Sequence, residues 1–302
     1  MADAVVTRGL TKRYGSTTAL DGLDLTIEQG EVFGYLGPNG AGKSTTIDLL
    51  LGFLRPTSGS AQVLGLDVRR DAASLHRRLA YVPSVADLWP GLTGEETMRL
   101  LGNLHGSVDA AYRDELVARF ELDVHKKNRA YSHGNRQKVA LVAGFASRAD
   151  LLLLDEPTTG LDPLMEQQFR RCVHEARDRG QTVLLSSHIL SEVEATCDRV
   201  GMLRAGRLVD VGRLDDLRGL AAVRVHAHVT RDLPDLAAVP GVANLVVSSP
   251  DGASGGTDLE CDVTGDIGPL VGALAAAGVE RLTTREPSLE ELFISQYGDA
   301  PT

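Results

Sequence analysis

The sequence predicts an α/β fold built on a mostly parallel sheet, followed by a second, smaller domain. Three observations predict it. Short apolar runs at Glu31–Leu36, Leu151–Leu154 and Thr182–Leu185 alternate with segments of helical periodicity, the pattern of strands buried by crossover helices. A glycine-rich stretch, Gly37–Thr45, leads straight from the first of these strands into an apolar helical segment. After about residue 219 the composition shifts to Ala, Val and Gly with a turn cluster at 248–256, which divides a domain 1–219 from a domain 220–302.

Taken in order, Ala4–Arg8 and Leu23–Glu28 read as strands with alternating apolar residues, around the turn-forming Tyr14-Gly15-Ser16. Glu31–Leu36 is a buried strand, and Thr46–Phe53 a helix that Arg55-Pro56-Thr57-Ser58-Gly59 brings to an end. A polar region of helical periodicity occupies Leu92–Phe145. Leu151–Leu154 is the next buried strand. Asp162 then supplies an N-cap and Pro163 the first helical position for a helix whose Phe169, Cys172, Val173 and Ala176 share a face, ending at Gly180. Thr182–Leu185 is the next strand. Near the end, Ser288 and Glu291 form a capping box for a helix presenting Leu289, Leu292 and Phe293, with Gly298 after it.

The 302 residues are 43% hydrophobic and 24% charged, a balance that predicts a folded chain. No apolar run approaches the 18 or more residues of a membrane helix, and Met1-Ala2-Asp3-Ala4 lacks the features of a secretory signal, so a cytoplasmic protein is expected. A net charge of -10 argues against nucleic acid as a partner. The basic stretch Arg69-Arg70 and His76-Arg77-Arg78 reads as a solvated helix face. Cys172, Cys197 and Cys261 are widely spaced and odd in number, which excludes a disulfide framework and predicts small core residues.

Gly37–Ser44 fits G-x-x-x-x-G-K-[ST], a loop whose backbone N–H groups wrap a phosphate at a helix N-terminus. Lys43 would reach the β and γ phosphates, and the Ser44 hydroxyl would serve Mg²⁺. An ordinary glycine turn is the alternative; the strand before and the helix after favour the phosphate loop. Asp155 closes a buried strand, where a carboxylate can hold Mg²⁺ through water, and Glu156 beside it can orient or deprotonate a water attacking the γ phosphate. Such an acidic pair could equally be helix N-terminal charge. The glycine loop upstream decides for chemistry.

These residues resemble the nucleotide-binding subunit of an ATP-binding cassette (ABC) transporter over residues 4–218. The resemblance implies a P-loop NTPase of ABC type, with a mixed sheet core and antiparallel β and α-helical subdomains, plus a small C-terminal α/β domain. It implies ATP and Mg²⁺ as cofactors, with Gly37, Pro38, Asn39, Gly40, Ala41, Gly42, Lys43, Ser44 and Thr45 around the phosphates and Ser44 and Asp155 at the metal. Tyr131–Gln137 stands where the family carries its Leu-Ser-Gly-Gly-Gln signature, and Ser132 and Gly134 match it. His133 and Asn135 depart from it. In the family this segment, here Ser132, Gly134 and Asn135, completes the ATP site of the opposite subunit, which implies a dimer and here a homodimer.

Thr159-Gly160-Leu161-Asp162 resembles the family's D-loop, with Thr159 for the usual serine. His188 after Ser186-Ser187 resembles the switch histidine at the γ phosphate, which joins Glu156 and Lys43 as catalytic residues. Tyr14 matches the aromatic on which adenine stacks. Ser84 in Tyr81-Val82-Pro83-Ser84 replaces a glutamine that touches Mg²⁺ and faces the membrane partner, and a short hydroxyl cannot reach as far. Trp89 and its neighbours resemble the same region of exporter subunits, where they belong to the docking surface. The closing Glu286–Phe293 resembles that of drug-resistance and lipid exporter ATPases.

The resemblance therefore implies an ATPase that powers a separate transmembrane permease for export of drugs, antibiotics or lipids, held peripherally on the inner face of the membrane. A soluble cassette ATPase of translation or DNA repair would carry two cassettes or a long coiled-coil insertion, and neither is present. A GTPase would carry Asn-Lys-x-Asp, which does not occur. An importer subunit is opposed by Ser84 and the closing segment.

Overall fold

The computed structural model describes residues 2–106, 108–214, 216, 222–248 and 256–285. It divides into two compact units, Met1–Gly212 and Arg213–Thr302. The expected domain boundary at 219/220 and the expected closing helix at Ser288–Gly298 lie outside the described residues, as does most of the 248–256 turn cluster.

The first unit opens with an antiparallel hairpin of β1 (Asp3–Tyr14) and β2 (Thr17–Glu28). Both strands outrun the alternating stretches expected from the sequence. The ladder shifts register between Thr7 and Leu10, where Gly9 sits at φ 55, and this bulge lets pairing resume beyond the interrupted alternation. β4 (Ser58–Val63) and β5 (Leu66–Asp67) extend this sheet in the order β2-β1-β4-β5.

The central sheet contains β3 (Val32–Leu36), β6 (Leu79–Val82), β7 (Leu151–Asp155), β8 (Thr182–Ser187), β9 (Arg199–Arg204) and β10 (Arg207–Arg213). Its order is β10-β9-β3-β8-β7-β6, and the pairs from β9 through to β6 are parallel. β10 joins through the two-residue turn Ala205-Gly206, both at positive φ as a type I′ hairpin requires. Every residue of β3, β7 and β8 is buried, as continuous apolar runs predict. Leu36 pairs with Ser187 and Asp155 with Ser186, so these three strands end level. The loops leaving the three strands therefore converge on one edge.

The helical region read as Leu92–Phe145 is three α-helices. α1 (Lys43–Leu50) and α2 (Ala72–Leu75) precede them. α3 (Gly94–His105) starts from a capping box between Thr93 and Glu96 and stops at Gly106, φ 92. α4 (Ala110–Arg119) is capped by Asp109, and α5 (His133–Ala146) by Ser132. In α6 (Pro163–Asp178), Asp162 accepts from the Leu164 and Met165 amides, and Phe169, Cys172, Val173 and Ala176 are buried together as expected. α7 (Leu190–Glu194) comes after β8. Tyr112 of α4 ties this layer to α6. Its hydroxyl donates to Glu175 at 3.0 Å, and the Arg148 and Arg179 guanidinium groups lie 3.8 and 4.8 Å from its ring centre. The basic residues of 69–78 are exposed, but they flank the four-residue α2 and so do not form a helix face.

The second unit is a four-stranded antiparallel sheet of β11 (Val223–Val229), β12 (Val242–Ser248), β13 (Thr257–Val263) and β14 (Val279–Arg285), ordered β12-β13-β11-β14. Alternation puts Val225, Ala227, Val229, Leu259, Cys261 and Val263 on one face, in one core with Leu270 and Leu274 of α8 (Gly268–Ala276). The register pairs Arg224, His226 and His228 with Asp262, Glu260 and Asp258. Cys172, Cys197 and Cys261 are all free and buried. Among the described residues no helix is long and apolar enough to cross a membrane.

Candidate active site

The loop 37–42 connects buried β3 to α1, and the helix starts without a side-chain cap and without an acid in its first turn. Its first amides are thus left for another acceptor, and the helix dipole favours an anion there. Gly42 holds φ 113, and a Cβ on it would come 2.6 Å from the Ala19 carbonyl of β2. Only glycine meets both demands. The same contact brings the β1–β2 hairpin up to the loop. At the end of β1, Tyr14 is 48% exposed, and Lys12 Nζ lies 4.9 Å from its ring centre.

Lys43 is 6% exposed, and its ammonium donates to the Gly37 carbonyl at 2.6 Å and the Pro38 carbonyl at 3.4 Å. It also lies 3.5 Å from Glu156 Oε1. The same oxygen is 3.3 Å from His188 Nδ1. The three residues expected to carry catalysis therefore meet at one carboxylate oxygen. Glu156 takes a left-handed backbone, φ 45, held by its amide donating to the Ser186 carbonyl at 3.1 Å and the Ser186 hydroxyl at 3.2 Å. That hydroxyl in turn donates to Asp155 Oδ1, using its one donor and one of its acceptor positions.

Asp155 is 3% exposed, whereas Ser44 at the start of α1 is open. A buried carboxylate and a hydroxyl are oxygen donors of the kind that suits a hard divalent cation sharing its shell with phosphate and water. Among the described residues no group of three or more His, Cys, Asp or Glu forms a metal cage. Two residues escaped sequence reading here. Asp48 stands one turn along α1 from Ser44, and burial together with the Asp155 charge pushes its carboxyl pKa up. The Tyr81 hydroxyl is pushed up by burial, then by Asp155 and Asp48. A helix spacing of four between Ser44 and Asp48 was the available signal.

Ser132 caps α5 by accepting from the Asn135 amide at 3.3 Å. Gly134 abuts the Gly160 carbonyl, and His133 also packs on Gly160. Within one chain, then, the expected signature segment rests on the expected D-loop. A third unforeseen residue lies nearby: Glu192 Oε2 accepts from the Ser187 hydroxyl at 2.6 Å, and burial raises its carboxyl pKa. A cavity of about 260 Å³ runs between Glu156, Thr158, Gly160, His188 and Glu192. A second, of about 480 Å³, is lined by Tyr81, Pro83, Trp89, Leu101, Leu104 and Ala140.

The ABC transporter family matches residues 20–159. Over 313 residues the chain is 38% identical to the daunorubicin resistance ATP-binding protein DrrA3 of Streptomyces coeruleorubidus, covering 99% of this chain and 98% of that one. It is 34% identical over 221 residues to the bacitracin transport ATP-binding protein BcrA of Bacillus licheniformis, covering 72% of each. Among solved structures, an ATP-binding subunit of an ABC transporter superimposes with a TM-score of 0.67 at 32% identity, over 71% of this chain and 92% of that one. A dimeric ATP-binding cassette in a post-hydrolysis state with ADP and phosphate shares the fold, with a TM-score of 0.63 at 24% identity over 70% of this chain and 98% of that one. The glycine loop, the acidic strand end and the histidine meet at one sheet edge of a chain that matches these proteins over nearly its whole length, and the chain belongs to the ATP-binding proteins of ABC transporters.

Proposed function

We propose that this chain hydrolyses ATP with Mg²⁺ to drive a separate membrane permease that exports a drug, an antibiotic or a lipid. The observation that carries the proposal is the meeting of Lys43 and His188 on Glu156 Oε1, beside buried Asp155. Glu156 takes a proton from the attacking water, Lys43 offsets the phosphate charge, and His188 orients the γ phosphate against Glu156. Ser44 and Asp155 would hold the cation, which when bound would supply neutralisation of the phosphate charge. Gly37–Thr45 wraps the phosphates, and Tyr14 stacks on adenine.

Two copies work together in this reading. Ser132, Gly134 and Asn135 of one subunit close over the ATP held by the other, and closure draws on the permease. The permease sits over the 480 Å³ groove, whose rim exposes Trp89 and Leu104. That attachment holds the protein on the cytoplasmic face of the membrane. Residues 220–302 form an accessory domain. The resistance and transport proteins matched above support export as the direction.

The test is capture of tagged Glu156→Gln protein, loaded with ATP, from detergent-solubilised native membranes, with partners identified by mass spectrometry. Recovery of a multi-spanning protein is the expected result. Recovery of ribosomes or nucleic-acid enzymes from the soluble fraction would leave the ATPase chemistry standing and remove the permease.

A further inference from the structure

The loop after β6, residues 83–92, contains both Ser84 and the chain's single tryptophan, Trp89. Four hydrogen bonds fasten it to the segment that opens α5. Gln137 Nε2 donates to the Pro83 carbonyl at 2.9 Å, and Asn128 Nδ2 to the Trp89 carbonyl at 2.9 Å. The Asn128 amide donates to the Leu92 carbonyl at 2.8 Å and the Arg129 amide to the Pro90 carbonyl at 3.4 Å. The loop is therefore held near its start by one side-chain amide and near its end by another.

Both amides are buried, and each leaves its own oxygen, Gln137 Oε1 and Asn128 Oδ1, without a hydrogen-bond partner. An unpartnered buried acceptor is destabilising, and an apolar side chain of the same shape would pack without that cost. Packing alone thus gives no reason for an amide at position 137. Its other half does: the NH₂ group reaches a carbonyl next to Ser84, where the hydroxyl is too short to make a link of its own. Gln137 lies on α5 five residues beyond the Ser132 cap, and Gly144 of the same helix packs on Val82 of β6, so α5 touches both the end of the strand and the first residue of the loop.

We propose that Gln137 and Asn128 are positioning residues that make the 83–92 loop follow the Ser132–Asn135 segment, carrying nucleotide binding to the permease-facing surface in place of a long side chain at position 84. The proposal rests on the reading above that this segment engages ATP. Movement of residues 128–137 toward a nucleotide draws the Pro83 carbonyl through Gln137 and the Trp89 carbonyl through Asn128, and the loop shifts as one body. Coupling of this kind is reciprocal, so a partner seated on the loop alters ATP affinity by the same factor.

Trp89 reports on the loop directly. In full-length Glu156→Gln protein, chosen because the proposed mechanism leaves it binding ATP with slowed turnover, MgATP is expected to change Trp89 emission. Adding Gln137→Met, which keeps the shape and loses the donor, is expected to reduce that change about fivefold while ATP affinity by calorimetry stays within about threefold. Gln137→Asn, with an amide too short to reach Pro83, is expected to behave as Met does and serves if the Met variant does not fold. An undiminished response in either folded variant overturns the proposal. So does a silent Trp89 in the parent when calorimetry shows ATP bound. Absence of ATP binding in the parent would instead remove the functional reading on which the proposal stands.

Discussion

Gly134 and Gly160 approach so closely that a Cβ on Gly134 would lie 2.3 Å from the Gly160 carbonyl oxygen. The obstacle is backbone, so it cannot swing aside as a side-chain tip would. Gly134→Ala must push α5 away from the 158–161 turn or distort that turn. The expected cost is about 1–3 kcal/mol in thermal unfolding. ATP-driven dimerisation by light scattering should also weaken, because both displaced segments belong to the proposed dimer contact.

Glu156→Gln keeps the shape of the carboxylate and removes its basicity. We expect ATP binding to persist and kcat to fall by about 10²–10⁴-fold. Turnover near that of the parent in a phosphate-release assay would take Glu156 out of the role of base.

Tyr14 projects from the end of β1 with half its surface open and a lysine ammonium near its ring. Loss of one base-stacking ring costs about 1–3 kcal/mol, so Tyr14→Ala should weaken ATP binding about tenfold. Tyr14→Trp should restore it. Equal affinities of all three proteins in calorimetry would show that adenine stacks elsewhere.

Glu192 gives a pH dependence whose sign is fixed. Burial holds its carboxyl pKa above the unfolded value; Glu166 adds to the rise, while Ser187, Thr158 and His188 oppose it. The folded protein therefore binds the proton more tightly, and its stability falls as pH rises from the ordinary carboxylate range through the raised pKa. Glu192→Gln abolishes the ionisation yet leaves an oxygen for the Ser187 hydroxyl. Its Tm should exceed the parent's at pH 8 and lose that advantage at pH 4.5. A Tm difference that does not vary with pH would refute the assignment.

Legibility in the sequence depended on how far each residue's partner lies along the chain. Gly37–Ser44, Asp155, Glu156 and His188 stood out as candidates because each lies at or just after the end of an apolar run, and parallel pairing levels those strand ends. The length of β1 could not, since the bulge at Gly9 hides its periodicity. Three helices merged into one region because Gly106 and the positive φ of Glu121 break them without a proline. Gln137 and Asn128 were invisible for a different reason: their partners are 54 and 39 residues away, and no local pattern announces such a pair.

The left-handed backbone at Glu156 has an evolutionary consequence. A long side chain in that conformation costs about 1–2 kcal/mol, and a glycine there would pay none of it. Thermal hardiness and turnover therefore pull in opposite directions at this codon. A mutant library screened only for survival of heating should become enriched in Gly and Asn at position 156, and the survivors should release little phosphate from ATP.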